Sequence, residues 1–199
     1  MEKFEDRREA LEKLIRIIDR DIITNNTLVL SISNRGTFYA REIALRMGML
    51  EGDFLLIEKI RSPQNPQTVL GAISETKDYV LLEELIDSFE ITNDYVFNEA
   101  MRVYEEKILQ DIYQFRGGES IISLENRDVL LVDEGANTGL NLLCAIKTCV
   151  AQKVSRINVA IPIIAKDTAS MIEKLVDNTF FVYEIEDFVN IDFYFKETE

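Results

Sequence analysis

The sequence predicts a single α/β domain, residues 1–199, built on a mainly parallel, doubly wound sheet flanked by helices. Three observations support this prediction. Strand-length and helix-length patterns alternate along the chain. The strand-length runs are apolar at nearly every position, as in residues 129–132 and 157–164, which is typical of strands covered on both faces. Only 8 glycines and 3 prolines occur in the 199 residues, so no segment has the composition of a flexible linker.

The N-terminal part of the chain alternates between helical and strand-like patterns. Residues 4–20 and 39–47 carry apolar side chains at helical spacing. Between them, residues 28–32 form a short apolar run that predicts a strand. We expect two further strands at residues 54–60 and 69–74, separated by a turn that contains two prolines.

The C-terminal part begins with a long, charged helical segment, residues 81–114, which Gly117 is expected to end. The helix predicted at residues 138–151 is apolar on almost every face and should be well buried. Asp167 is placed to cap a later helix that runs through Leu175. The other predicted elements are strands at residues 129–132, 157–164 and 180–182.

Charge and composition exclude several classes of protein. The formal net charge of −14 argues against a general nucleic-acid binder, because affinity for phosphate backbones rests on clustered Lys and Arg. A small anionic ligand remains compatible with a local basic cluster, since screening limits charge effects to about 8 Å. No run approaches the ~20 apolar residues of a membrane span, and the charged N-terminus lacks a signal-like apolar region. We therefore expect a cytoplasmic protein.

The available side chains limit the chemistry. The chain contains no histidine, which excludes Ser-His-Asp and Cys-His catalysis and the usual zinc sites. Cys144 and Cys149 lie five residues apart on one predicted helix and face different directions, so we expect buried free thiols. The groups that remain available for chemistry are carboxylates, Lys, Arg, backbone amides and a hard cation such as Mg²⁺.

One loop combines two binding properties. In VLLVDEGANTGLN, residues 129–141, Asp133 and Glu134 directly follow a predicted strand. Gly135 and Gly139 then let the backbone approach a ligand closely before a helix begins, and a helix N-terminus favours a phosphate. Carboxylates need a hydroxyl-bearing or cationic partner, so a ribose diol or Mg²⁺ beside the phosphate fits the loop. Neither GxGxxG nor the Walker pattern GxxxxGK[ST] occurs in the chain.

This loop resembles the phosphoribosyl pyrophosphate (PRPP) loop of the type I phosphoribosyltransferases. The wider chain is similar to a subgroup of that family whose acceptor is unknown. The matching segments, in order, are FEDRREALEKL, ISNRGTFYAREIA, EKIRSPQNPQTVLGAISE, YQFRGG and FVNIDFYF. The resemblance covers most of the chain and implies the family's fold, with residues 74–118 as a helical hood and flexible-loop insertion.

The resemblance also implies roles for particular residues. Asp133 and Glu134 would hold the ribose hydroxyls and, directly or through water, Mg²⁺. Arg35 and Lys59 would act with them in catalysis by placing positive charge near the pyrophosphate. The implied pyrophosphate loop is Asn34, Arg35, Gly36 and Thr37, and the implied 5′-phosphate site is Gly135, Ala136, Asn137, Thr138, Gly139, Leu140 and Asn141.

The implied reaction transfers the phosphoribosyl group of PRPP to an unidentified nitrogen acceptor, such as a nucleobase, with release of pyrophosphate. Asn137, Asn141, Glu134 and Glu58 depart from the usual pattern of the family. They leave open a catalytically weak regulatory protein that binds PRPP or a ribose 5-phosphate nucleotide on the same fold. Another nucleotide-binding α/β enzyme is a third alternative. A homodimer is the base-rate expectation.

Overall fold

The main sheet is parallel, as the sequence predicts. The computed structural model describes residues 3–62 and 64–197. The strands of this sheet are β1 (Leu28–Ser31), β2 (Leu50–Phe54), β6 (Asp128–Val132), β7 (Gly135–Ala136), β8 (Arg156–Ala165) and β9 (Asn178–Ile185). Their spatial order is β2-β1-β6-β8-β9, and the short β7 pairs with β8 just beyond the end of β6. All these pairings are parallel, so the carboxyl ends of the strands meet at one edge.

Helices cover both faces of the main sheet. They are α1 (Arg7–Ile17), α2 (Gly36–Met47), α6 (Leu140–Ala151) and α7 (Lys166–Ile172). Along β1, Val29 packs into the core beneath α1 and α2, whereas Leu28 and Leu30 pack into the core beneath α6 and α7. Because successive strand residues point to opposite faces and both faces are buried, the central strands β1, β6 and β8 are apolar at most positions. The doubly wound prediction is confirmed.

A second, antiparallel sheet accompanies the first. It consists of β3 (Ile57–Arg61), β4 (Val69–Ser74) and β5 (Tyr79–Leu81), in that order. Helices α3 (Glu83–Ser88), α4 (Asn93–Val103) and α5 (Leu109–Arg116) follow, and a π-helical turn (Tyr104–Ile108) joins the last two. These elements share a hydrophobic core of their own. The limits of the insertion predicted at residues 74–118 stay a prediction, but the sheet under its helices begins earlier, at Ile57.

The prediction of one strand at residues 54–60 is wrong, because this segment belongs to two strands in different sheets. β2 ends at Phe54, and the chain crosses to the second sheet through Leu55 and Leu56. Leu55 is buried in the core under α6, whereas Leu56 is buried in the core of the second sheet. A continuous apolar run does not show which partner each half pairs with, so the break is invisible in the sequence.

The helices differ from their predicted limits in two places. The segment predicted as helix at residues 81–114 is divided, because its start completes β5 and a π-helical turn interrupts the rest. Asp167 does not cap α7: Ala165 is at the N-cap, Asp167 lies within the first turn, and the helix ends at Ile172. The left-handed Gly117 ends α5 as expected. Cys144 and Cys149 are buried free thiols on α6, also as expected.

Among the helices that the structure describes, none is long and apolar enough to cross a membrane.

Candidate active site

A cavity of about 390 Å³ opens at the carboxyl edge of the main sheet. It lies where the loops after β1 and β6 meet the start of α6, and β3 of the second sheet contributes to its wall. This is the edge at which ligands bind in open α/β sheets. The lining residues are Ser33, Asn34, Arg35, Lys59, Asp133, Gly135, Ala136, Asn137, Thr138, Gly139, Leu140, Asn141, Leu142 and Ile191.

Asp133 is the acid that faces this cavity. It follows the last residue of β6 and is 8% exposed. The Ser33 hydroxyl and the Glu134 backbone N–H both donate to its Oδ1, the latter over 2.7 Å. Burial raises the pKa of Asp133 to about 6, although both hydrogen bonds favour the charged form. Keeping this carboxylate ionised in the cavity therefore lowers the free energy of unfolding.

The adjacent acid points elsewhere. Glu134 is 1% exposed and does not line the cavity. Its Oε1 accepts from Arg7 Nε at 2.6 Å, and its Oε2 accepts from Arg35 Nη1 at 3.3 Å. The resemblance implied that this carboxylate holds ribose hydroxyls or Mg²⁺. In the structure it is engaged by two guanidinium groups instead.

The predicted phosphate loop is fixed at both ends. Gly135 and Ala136 form β7 and pair with β8, and the Thr168 hydroxyl of α7 donates to the Asn137 carbonyl. Gly139 is the N-cap of α6 with φ of +69°, a conformation that L side chains rarely adopt. The first turn of α6 therefore lies at the cavity. The backbone N–H groups of a first helical turn have no intrahelical partners.

Asn141 adds a polar group that has no partner within the described protein. Its Oδ1 is buried and accepts no hydrogen bond from the residues that the structure describes. An unsatisfied buried amide is costly, and Asn141 lines the cavity. A hydroxyl or a water molecule that donates to this oxygen would remove the cost, whereas a phosphate oxygen would not.

The loop after β1 packs tightly against the end of β6. Gly36 begins α2, and a Cβ at this position would lie 2.8 Å from the Val132 carbonyl oxygen and 2.9 Å from the Cα of Asp133. The Gly36 N–H donates to Ser33 Oγ over 3.0 Å, which in turn donates to Asp133. Glycine is thus needed because the two loops approach so closely. Gly36 and Thr37 do not line the cavity, whereas Asn34 does.

Two basic side chains lie at the cavity. Arg35 Nη1 and Nη2 donate to the two carboxylate oxygens of Asp192, at 2.6 Å and 3.3 Å. This hydrogen bonding is the main reason that the pKa of Arg35 is raised. Lys59 reaches the cavity from the second sheet, on β3. It is exposed and, within the described residues, forms no ion pair.

Three lining residues were missed by sequence reasoning: Ser33, Leu142 and Ile191. Ser33 follows β1, and its contact with Asp133 depends on the pairing of β1 with β6, which is a long-range property. Ile191 comes from a 3₁₀ turn near the C-terminus (Ile191–Tyr194). The FVNIDFYF match was the only sequence signal that pointed to this turn.

The geometry limits how a metal ion could be held. Within the described residues, no group of three or more acidic or cysteine side chains is arranged around a common point. Asp133 is the acid that lines the cavity. Mg²⁺ usually takes one or two carboxylates together with substrate oxygens and water, so a single carboxylate fits a metal delivered with a phosphorylated ligand.

Comparison with known proteins shows the family of the chain. A family model described as "Phosphoribosyl transferase domain" matches residues 2–197. The chain belongs to the phosphoribosyl transferase family. Proteins from two strains of Mycobacterium tuberculosis, each named "Putative phosphoribosyl transferase", are 26% identical to this chain over 167 residues. That match covers 82% of this chain but 36% of theirs, so the chain spans about a third of the length of these curated relatives.

Solved structures share the fold of this chain. The TT1426 protein of Thermus thermophilus is 24% identical, with a TM-score of 0.76 over 99% of this chain and 92% of the other. The AQ2163 protein of Aquifex aeolicus is 14% identical, with a TM-score of 0.50 over 92% of this chain and 74% of the other. At these identities the similarity shows the fold alone.

Proposed function

We propose that this protein binds PRPP together with Mg²⁺ and transfers the phosphoribosyl group to a nitrogen acceptor, releasing pyrophosphate. One observation supports this most directly: a buried carboxylate, Asp133, and the start of α6 line the same cavity. The carboxylate suits sugar hydroxyls and the helix start suits a phosphate. The cavity volume of about 390 Å³ is within the usual range for small-molecule sites.

The proposal assigns one part of the ligand to each part of the cavity. The 5′-phosphate binds to the backbone N–H groups from residue 135 to residue 141, with the Thr138 hydroxyl and the Asn141 amide beside them. The ribose hydroxyls donate to Asp133. The pyrophosphate lies near Asn34, Arg35 and Lys59, which line the same cavity.

The proposal includes Mg²⁺ at Asp133, because the site offers a hard oxygen ligand and leaves room for ligand oxygens and water. When bound, the ion would neutralise pyrophosphate charge. The residues of the chain supply the remaining stabilisation. We also propose that the protein acts in the cytoplasm, which cell fractionation tests. We propose that it is a homodimer, which light scattering tests, and that it has no nucleic-acid partner.

The chemistry at this site needs little proton transfer by the protein. The bond from the anomeric carbon to pyrophosphate breaks as the bond to the acceptor nitrogen forms, and positive charge develops on the ribose. Asp133 beside the ribose stabilises that charge, while Arg35 and Lys59 stabilise the departing anion. Holding both reactants in one geometry accounts for the rest of the acceleration. The absence of histidine is compatible with this division of work.

A second candidate is a regulatory protein that binds PRPP or a nucleotide on the same fold with weak turnover. The favouring observation is that Arg35 is already hydrogen-bonded to Asp192 and Glu134. A guanidinium held in this way can bind pyrophosphate in one position, but it is less free to follow the pyrophosphate as it departs.

Thermal denaturation with PRPP and Mg²⁺ tests the proposal. At a ligand concentration of ~100 times Kd, linkage predicts about 2.7 kcal/mol of stabilisation. For a chain of this size that is a rise in Tm of about 5–10 °C. Pyrophosphate release is then measured across a panel of nucleobases. Release supports the transferase, whereas PRPP binding without release favours the regulatory candidate. Stabilisation by nucleoside monophosphates but not by PRPP would contradict both.

A further inference from the structure

We propose that Glu134 and Asp192 are positioning residues that hold Arg35 at the cavity, so that the paired acids of the loop after β6 have different tasks. This inference rests on the proposed function, in which Arg35 meets the pyrophosphate. Asp133 contacts the ligand, and Glu134 acts only through Arg35. The C-terminal 3₁₀ turn thereby becomes part of the site.

The first step is the burial of Glu134. Its side chain is 1% exposed, and two cations from different parts of the chain compensate its charge. Arg7 of α1 binds Oε1 and Arg35 of the loop after β1 binds Oε2, so the two contacts coexist. A ribose hydroxyl would have to compete with both guanidinium groups for this carboxylate.

The second step is the geometry of Arg35. Its guanidinium donates to Glu134 from one side and to both oxygens of Asp192 from another. These three contacts use three of the five N–H donors of the group. The plane of the fork is fixed by the contacts, and the remaining donors can bind an anion in the cavity that Arg35 lines.

The third step is the rigidity of the C-terminal turn. Tyr194 is completely buried, and Asn190 caps the turn by accepting from the Phe193 N–H over 2.9 Å. Ile191 lines the cavity, and a Cβ on Gly135 would lie 2.9 Å from its Cγ1. Asp192 is therefore attached to a well-packed element that touches the phosphate loop directly.

The consequence is pre-organisation. A long arginine side chain loses rotamer freedom when it grips an anion, and that loss is smaller if the side chain is already ordered. Asp192 makes the shorter contact with Arg35, at 2.6 Å, but is 53% exposed, whereas Glu134 contacts Arg35 at 3.3 Å and is 1% exposed, so both should contribute. Both should affect the binding of pyrophosphate and not that of ribose 5-phosphate.

The test measures Kd by calorimetry for three probes with Mg²⁺: PRPP, inorganic pyrophosphate and ribose 5-phosphate. The variants are Glu134→Gln and Asp192→Asn, each alone and combined with Arg35→Ala. Glu42→Gln is the matched control, because Glu42 pairs with Arg46 on the exposed face of α2. Thermal melts confirm folding. If Glu134→Gln does not fold, Asp192→Asn decides the outcome.

We expect Glu134→Gln and Asp192→Asn each to weaken pyrophosphate binding by about two- to tenfold. Both effects should disappear in the Arg35→Ala background, which a purely structural role would not produce. Ribose 5-phosphate affinity should stay unchanged. An unchanged or lower pyrophosphate Kd in both variants, or weaker ribose 5-phosphate binding in Glu134→Gln, overturns the inference but not the proposed function. Failure of the unmodified protein to bind any probe overturns both.

Discussion

Replacing Asp133 with asparagine should stabilise the folded protein at neutral pH while it abolishes PRPP-dependent turnover. Burial raises the pKa of this carboxyl from its ordinary 3.8 to about 6. Because each pKa unit corresponds to about 1.4 kcal/mol, keeping Asp133 ionised costs the folded state roughly 3 kcal/mol. Asparagine removes that charge. Its Oδ1 can still accept from Ser33 and from the backbone N–H of Glu134.

The sign of the pH dependence follows from the raised pKa. Between about pH 4 and pH 6 the folded state binds more protons at Asp133 than the unfolded state does. Stability from this group is therefore fully present below its unfolded pKa and is lost as the pH rises through about 6. The advantage of Asp133→Asn should be roughly 3 kcal/mol at pH 8 and fall to about a third of that near pH 4.5.

Thermal melts of both proteins from pH 4.5 to pH 8 measure this difference. For a chain of this size we expect Asp133→Asn to melt roughly 6–12 °C higher at pH 8. Asp87→Asn, which removes an exposed carboxylate of α3, is the control and should change little at either pH. A difference in Tm that is zero, negative or independent of pH would refute the conclusion that the ionised Asp133 destabilises the folded protein.

Turnover provides the complementary measurement. If an ionised Asp133 binds the ribose, PRPP-dependent turnover of the unmodified protein should decline as the pH falls below about 6. Asp133→Asn should lack activity across the whole range. Gain of stability together with loss of activity is the pattern expected where function requires a destabilised group. Activity equal to that of the unmodified protein would contradict the role of Asp133.

Two further variants test a buried ion pair and the conformation of the predicted phosphate loop. Arg116→Ala leaves Glu75, whose side chain is 2% exposed, without its guanidinium partner and should lower the free energy of unfolding by about 3–5 kcal/mol in urea titrations. The exposed-pair control Lys166→Ala should leave the midpoint nearly unchanged, and equal losses would refute the distinction. Gly139→Ala places a Cβ 2.6 Å from Thr168 Cγ2 at a φ of +69° and should cost about 1–3 kcal/mol. It should also weaken ribose 5-phosphate binding by calorimetry, and an unchanged Kd would show that the loop is not at the phosphate.

The sequence determined the elements whose patterns are local. The apolar runs of β1 and β6 require burial on both faces, and β8 extends the same pattern, so the doubly wound sheet was predictable. The small residues between β6 and α6 require a tight loop at a helix start, whatever surrounds it. These features depend on backbone geometry over a few residues, which is the range that a single sequence reports.

Tertiary structure decided which partners those elements meet. It sent Leu55 and Leu56 into different cores and brought Lys59 to the cavity from a second sheet. It also separated two adjacent acids, turning Asp133 toward the cavity and Glu134 toward two arginines. Such choices depend on contacts between residues far apart in the chain, where spacing in the sequence carries no signal. The sequence alone therefore determined that two adjacent acids follow β6, and only the tertiary structure determined which of them faces the cavity.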